Sequence, residues 1–292
     1  MACGRQFRGG AEIISSEELW QQYSENKQPL AELTATYGLS VSTIQRRLSE
    51  ITKEWKNGPL RGEGFVHLDA TYWGRGWGIL LAIDEEFGRP LYLAFIKSEK
   101  IQDYVDAVSS IKARGYRIKG IIVDGKKGLF DTFEDMKIQM CQFHMKQIIR
   151  RYITLKPRLK AARALKDIVS KLTTMKKADF EMEYAKWKNE WNDTITKRSE
   201  LKSGSKPYHH RRLRAAMHSL DFYLPYLFTY QDEGCENMPN TNNKIEGTFT
   251  DVKKNLNNHS GMNEENRKRF ICGFFLALEK KSSTKKQEQS KD

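Results

Sequence analysis

Two short apolar runs with the same ending constrain this chain more than anything else in it. Phe65-Val66-His67-Leu68-Asp69-Ala70-Thr71-Tyr72 and Ile118-Lys119-Gly120-Ile121-Ile122-Val123-Asp124-Gly125 are rich in β-branched residues, and each presents one aspartate near its end. Runs of that length and content read as buried strands. Between them Ile101, Tyr104, Val105, Val108 and Ile111 recur at helical spacing, and Gly115 supplies a C-cap. A strand reached through a crossover helix lies parallel to its sheet neighbour. If the two runs pair, Asp69 and Asp124 share one edge of the sheet, the carboxyl edge at which ligands of α/β sheets sit. Aspartate at a strand end is also a common turn residue, so the pattern alone leaves both roles open.

The flanking pattern extends the sheet. Runs from Gly76 to Asp84 and from Leu91 to Lys97, joined by turns containing Gly74 and Gly88, favour an antiparallel meander with the first strand. After Asp124 come a short helical stretch, Gly128 to Met136, and a fifth strand-like run, Lys137 to Phe143. The expected class is therefore α/β, with a mixed sheet of three antiparallel strands followed by two parallel ones. Beyond His144 the pattern turns helical for about ninety residues, with apolar anchors such as Ile148, Leu155, Leu165, Phe180, Trp187 and Trp191. Ser203 to Pro207 interrupts it, and a further apolar helix is expected from Arg211 to Thr229. The loop Asp232 to Thr241 leads to Asn240-Thr241-Asn242-Asn243-Lys244-Ile245-Glu246-Gly247-Thr248-Phe249, which carries a third candidate acid. A last apolar segment, Phe270 to Leu278, precedes a Lys-, Ser- and Gln-rich tail from Lys280 that reads as disordered.

Ahead of the sheet, Lys56 to Gly64 is a Gly- and Pro-containing connector. The residues before it read as three short helices, the first capped at Ser16, the second starting after Pro29 and the third running from Val41 to Leu48 after Gly38-Leu39-Ser40. A helix, a glycine turn and a helix rich in Ser, Thr, Gln and Arg is the sequence form of a helix-turn-helix. Leu33, Leu39, Ile44 and Leu48 would pack inward, and Ser42, Thr43, Gln45, Arg46 and Arg47 would face DNA. Small three-helix folds used for protein contact give the same pattern. At the very start, Cys3-Gly4-Arg5-Gln6-Phe7 matches half of a zinc ribbon, but the first Cys-x-x-Cys pair is missing. A tetrahedral zinc site needs four ligands, so zinc is not expected in this chain.

Charge points to the partner. The formal net charge is +13, and from Lys146 to Arg214 there are 20 Lys and Arg against 7 Asp and Glu, a surplus of 13 that accounts for all of it. A regional excess of this kind attracts polyanions, nucleic acid first, because neutralising phosphates releases counterions. Within it, His209-His210-Arg211-Arg212 reads as a solvated or phosphate-contacting run, with Arg211 and Arg212 the candidate contacts. No apolar run is long enough for a membrane span, and Cys3, Cys141, Cys235 and Cys272 are scattered as reduced thiols would be. The expectation is a cytoplasmic protein without a membrane partner.

Two strand-end aspartates and a helical glutamate are hard oxygen ligands, suited to Mg²⁺ or Mn²⁺ rather than zinc. Two such ions activate an attacking hydroxyl and stabilise the leaving oxygen of a phosphoryl displacement. The order of elements resembles a ribonuclease H-like fold. The motifs LDATY, IIVDG, the Cys-x-x-His of Cys141-Gln142-Phe143-His144, and TNNKIEGTF resemble those of the Mutator-like DDE transposases, including bacterial insertion-sequence enzymes, over about Phe65 to Leu278. The resemblance implies that Asp69, Asp124 and Glu246 are the catalytic, metal-binding acids of a two-metal site, with Cys141, His144 and Asn243 supporting it. It also implies strand cleavage at element ends and strand transfer into double-stranded target DNA, by a homo-oligomer bound to DNA in a bacterial, nucleoid-associated setting. On this reading 1–14 is a ribbon remnant, 15–55 the helix-turn-helix, 65–144 and 239–279 the two parts of the catalytic core, 145–238 a basic helical insertion and 280–292 the tail. A catalytically inactive or domesticated DNA-binding repressor is the alternative, and a ribonuclease H-type nuclease would share the metal site without needing the helix-turn-helix.

Overall fold

Ser15 starts the first helix by a reciprocal cap. Its hydroxyl accepts from the Glu18 amide at 3.2 Å, and the Glu18 carboxylate accepts back from the Ser15 amide at 3.0 Å; the cap is thus one residue earlier than the sequence suggests. The structure is a computed structural model that describes residues 13–51, 53–74, 76–200, 204–259 and 261–289; the Cys3-to-Phe7 run lies outside them. Helix α1 spans Ser16–Ser24, α2 Leu30–Tyr37 and α3 Val41–Glu50. Between α2 and α3 the chain reverses through Gly38, whose φ of 64° is a left-handed conformation that costs glycine nothing. Ser40 then caps α3 by accepting from the Thr43 amide. Leu33, Ile44 and Leu48 are buried, and Leu39 is half-buried. Ser42, Gln45 and Arg46 are exposed and Thr43 is half-buried, with Arg46 paired to Glu50 at 2.7 Å.

Arg47 corrects the expectation. It is buried, and its guanidinium donates to the Ile14 carbonyl at 2.5 Å and to the Ser16 hydroxyl at 3.2 Å. A buried guanidinium needs its donors satisfied. Here the chain just before α1 and the first turn of α1 satisfy them, so Arg47 ties the start of α1 to α3 and does not face DNA.

The sheet comprises β1 (Glu63–Trp73), β2 (Trp77–Asp84), β3 (Pro90–Ile96), β4 (Arg117–Val123) and β5 (Ile138–Met140), in the order β3-β2-β1-β4-β5. β1 and β3 flank β2 in antiparallel sense, whereas β1–β4 and β4–β5 are parallel. Helices α4 (Ile101–Ala113) and α5 (Gly128–Thr132) make the crossovers. This is a ribonuclease H-like α/β fold. All eight residues of β2 are buried, as expected of an inner strand covered on both faces. Val66, Leu68, Ile121 and Val123 join the main core with Tyr104, Val108 and Ile111 of α4, while Phe65 and Ile122 pack on the opposite face with Cys235 and Met238.

β5 is shorter than its sequence run. The ladder stops at Val123↔Met140, and Cys141 is already the N-cap of α6 (Gln142–Ile153). The insertion follows as α7 (Lys160–Ser170), α8 (Lys177–Glu190), α9 (Asn192–Thr196) and α10 (Arg211–Tyr223). Leu165, Val169, Phe180, Tyr184, Trp187 and Leu220 fill its interior; the Trp187 indole donates to the Ala161 carbonyl at 2.9 Å, and Trp191 is half-buried. Leu155, expected as an anchor, is exposed in the turn after α6. The apolar stretch after Arg211 does not stay helical to Thr229. It gives way to two 3₁₀ turns, Leu224–Tyr226 and Thr229–Gln231, the first containing Pro225, whose ring nitrogen has no proton to donate.

Those turns seal the open edge of β5. The Thr229 hydroxyl donates to the Ile138 carbonyl at 2.6 Å, and the Gln139 and Gln142 amides donate to the Leu227 carbonyl at 2.9 and 2.7 Å. The Gln142 amide N–H then donates to the Asn240 carbonyl at 2.9 Å. The insertion therefore leaves and returns at one place, the carboxyl end of β5. Close approach marks the next strand too: a Cβ on Gly125, directly after Asp124, would meet Ile148 of α6 at 2.7 Å, and Tyr223 of α10 donates its hydroxyl to the Gly125 carbonyl.

Helix α11 spans Asn243–Asn257 and α12 spans Glu264–Gln289. Residues 57–246 form one compact unit; the chain up to Lys56 and from Gly247 onward forms another. Of the 239–279 segment assigned from sequence to the catalytic core, only the part through Glu246 belongs with the sheet. The last helix runs on to Gln289 instead of ending near Lys280. Lys, Gln and Glu are good helix formers, so a composition that reads as disorder also suits an exposed helix. In this second unit His259 lies between Tyr23 and Phe270, with ring centres 4.0 and 5.0 Å away. Burial holds its imidazole neutral, with the pKa down from 6.5 to about 4. The unfolded chain thus binds a proton that the folded one refuses. Stability from this site is complete above about pH 6.5 and is lost progressively as pH falls toward 4. Thermal melts from pH 7 to 4 should show that loss in the wild type and a flatter profile in His259→Phe.

Candidate active site

Parallel pairing sets the first two acids side by side. β1 and β4 are hydrogen-bonded as far as His67↔Ile122, and the same offset carried two residues on places Asp69 beside Asp124. β4 ends at Val123, while β1 runs on with β2 alone to Trp73, so the two strands part at the aspartates. The Asp69 carboxylate accepts from the Ala70 amide at 2.7 Å, and that of Asp124 accepts from the Lys126 amide at 3.2 Å, turning the chain back after the strand. Glu246 stands in the first turn of α11, its Oε1 3.6 Å from Nε2 of His144.

Electrostatics shows that these groups share one field. Burial pushes the Asp69 pKa well above the ordinary carboxylate range, and the charges of Asp124, Glu246 and Glu99 add to it. Asp124 is raised by burial and by Glu99, against the opposing pull of His144 and Lys126. Like charges held together in a poorly hydrated place favour protonation or a cation. Among the nearby lysines, Lys126 pairs with Glu99 of this same group and Lys244 pairs with Glu85, each at 3.4 Å. Carboxylates under this repulsion suit a hard divalent cation such as Mg²⁺ or Mn²⁺, which Asp69 and Asp124 could hold.

Glu99 is the acid that the sequence conceals. It lies in the turn between β3 and α4, where Ser98-Glu99-Lys100 reads as ordinary surface loop. Its carboxylate accepts from the buried Tyr104 hydroxyl at 2.9 Å, and its carbonyl accepts from Lys126 Nζ at 2.9 Å. Only the fold brings it to the aspartates.

A buried chain of polar contacts fixes the start of α11. His67, two residues before Asp69, has Nε2 at 2.5 Å from Glu85 Oε2 and Nδ1 at 2.6 Å from Asn242 Oδ1. The Asn242 amide donates to Cys141 Sγ at 3.2 Å, and the Asn242 carbonyl accepts from the Glu246 amide at 3.1 Å. Asn242 is fully buried and makes these contacts, whereas Asn243, which the resemblance implies as a supporting residue, is exposed at the start of α11. Asparagine before a helix accepts and donates to free backbone groups, but nothing in the sequence says that its partner is a histidine 175 residues earlier.

Cys141 and His144 also come to Glu246. Among the described residues, one ligand atom from each of Cys141, His144 and Glu246 lies within 4.8 Å of the other two. Burial pushes the Cys141 thiol up to about 11. A Cys-x-x-His pair by itself offers two ligands, and the fold brings Glu246 within reach as a third.

The basic surface has a definite hollow. A cleft of about 510 Å³ on the insertion is lined by Lys156, Arg158, His209, His210, Arg211 and Arg212 among others, with no acidic side chain in its wall. Arg211 and Arg212 are exposed, and Arg212 is steadied by the Arg151 carbonyl at 2.6 Å. No helix among the described residues is long and apolar enough to cross a membrane.

No family model matches the chain. No curated protein matches it either. Among solved structures, it is similar to the Drosophila P element transposase strand transfer complex, at 10% identity and a TM-score of 0.37, over 85% of this chain and 82% of that one. It is also similar to a simian T-cell lymphotropic virus intasome in complex with PP2A regulatory subunit B56 gamma, at 13% identity and a TM-score of 0.23, over 54% of this chain and 69% of the other. Chains this far apart share a fold at most, and neither likeness says what this one does.

Proposed function

We propose that this chain is a DDE-type transposase of the Mutator-like kind, a metal-dependent polynucleotidyl transferase of a bacterial insertion sequence. The observation that carries the reading is that Asp69 is raised by the charges of both Asp124 and Glu246, although 122 residues separate the last two in sequence. A non-catalytic repressor would have no need to keep three acids together against their own repulsion.

Divalent ions held there supply Lewis acidity for an attacking hydroxyl and for the departing oxygen of a phosphodiester. The residues of the chain do the rest. Asp69 and Asp124 present carboxylates from a rigid sheet edge, which fixes their separation. Glu246 closes the set from a helix pinned by His67 and Asn242. His144, half-buried beside Glu246, is placed to donate a hydrogen bond to a phosphate oxygen. The lysines and arginines of the insertion hold the polymer, and the exposed Ser42, Gln45 and Arg46, with Thr43, form the face by which a helix-turn-helix would read element ends.

Two experiments test this reading. Asp69→Asn and Asp124→Asn should each lower Mg²⁺-dependent DNA cleavage by at least about a thousandfold while retaining DNA binding. Mg²⁺ should raise the melting temperature of the wild type and do so less in either variant; cleavage at wild-type rates in Asp69→Asn would sink the proposal. Replacing Arg211 and Arg212 together by Ala should weaken DNA binding similarly on all sequences. It should also make the slope of log affinity against log salt shallower by about 2, the share of two phosphate contacts.

A further inference from the structure

We propose that Cys141, His144 and Glu246 form a second metal site, selective for a thiophilic cation such as Zn²⁺, whose occupation withdraws Glu246 from Asp69 and Asp124 and so stops cleavage. The proposal rests on the transposase reading for its effect on activity, but the site itself does not.

Geometry comes first. Cys141 is the N-cap of α6 and His144 lies in its first turn, so the Cys-x-x-His spacing sets both side chains on one face of the helix. Three atoms with no separation above 4.8 Å can all be reached from a point at most 4.8/√3, or about 2.8 Å, away. Zinc bonds run to roughly 2.3 Å for sulfur and 2.0–2.2 Å for nitrogen and oxygen, so each ligand need move by well under an ångström. Three protein ligands with a fourth position open to water is a common zinc arrangement.

The surroundings suit a thiolate. Besides the Asn242 amide at 3.2 Å, the amides of Phe143 and His144 at the start of α6 are directed at the sulfur. Amide donors of this kind stabilise a metal-bound sulfur and fix its direction. Cys141 itself is buried, whereas His144 and Glu246 are partly open to solvent, so an ion enters from their side. On binding, the thiol proton is released to water and the sulfur takes the metal in its place.

Selectivity follows from the donors. A thiolate and an imidazole favour zinc and its neighbours and give Mg²⁺ little, whereas the oxygen set of Asp69 and Asp124 does the reverse. Glu246 is common to both sets. Its Oε1 already lies on the His144 side, at 3.6 Å, and one carboxylate fixed to a thiophilic ion there is no longer available to complete the hard-metal site.

The full-length protein, stripped of metal in a thiol-free reducing buffer, would be titrated with Co²⁺ as a spectroscopic stand-in for zinc. The expected result is a near-ultraviolet thiolate-to-cobalt absorption band, displaced by Zn²⁺, absent in Cys141→Ser and weakened at least tenfold in affinity in His144→Gln, which keeps the test decisive if the serine variant does not fold. Zn²⁺ added to a cleavage reaction in excess Mg²⁺ should lower the rate at least tenfold, and a zinc-selective chelator should restore it. No band in the wild type, or a band that survives in both variants, would overturn the site. A band with undiminished cleavage in zinc would overturn the link through Glu246. Cleavage by Asp69→Asn at the wild-type rate would instead overturn the transposase reading, leaving the cobalt result to stand by itself.

Discussion

The parallel hydrogen bonding of β1 to β4 is the interaction on which the rest of the molecule depends. Its register, which ends two residues short of the acids at His67↔Ile122, directs Asp69 and Asp124 to the same edge of the sheet. The arrangement is unfavourable for the isolated carboxylates, since burial and the neighbouring charges both oppose ionisation. A fold keeps such a conflict only where the surrounding structure determines it strongly. Here α4 packs against β3 and β2 and shares one core with the two strands, and helices α6 and α10 clamp the loop after β4 at Gly125.

The helical insertion is best understood as a closed excursion from the end of β5. Cys141 and Asn242 are 101 residues apart in sequence and joined by a 3.2 Å contact. What lies between them packs around Phe180, Tyr184 and Trp187, in one core that is continuous with that of the sheet. The same closure brings the third acid to the sheet, because the chain that returns past Asn240 must enter α11 beside Cys141.

What could be read from the sequence divides along physical lines. The sheet order, Asp69 and Asp124 were legible because β-branched runs, short glycine turns and a crossover helix are local signals, and the parallel rule converts them into an arrangement. Glu246 was legible only through its family-like motif, since periodicity cannot fold an excursion of that length. Arg47, Glu99 and His67 were misread or missed for one reason: each is defined by a partner distant in the chain, and the local sequence is silent about partners. Arg47 on an otherwise polar helix face looks like a DNA contact until the carbonyl of Ile14 appears beneath it. The helix continuing to Gln289 failed differently, because its composition suits two states equally well.

The His67–Asn242 contact also governs when the site can exist. Loops that close over long stretches form late, because their entropy must be overcome before any contact rewards it. Asp69 and Asp124 belong to the early, N-terminal part of the sheet, but Glu246 is held only after the whole insertion has folded and its ends have met. During synthesis the nascent chain would thus display two acids and a growing basic surface for some time without Glu246 in place. On the transposase reading, the order of folding would itself keep the protein harmless until it is finished.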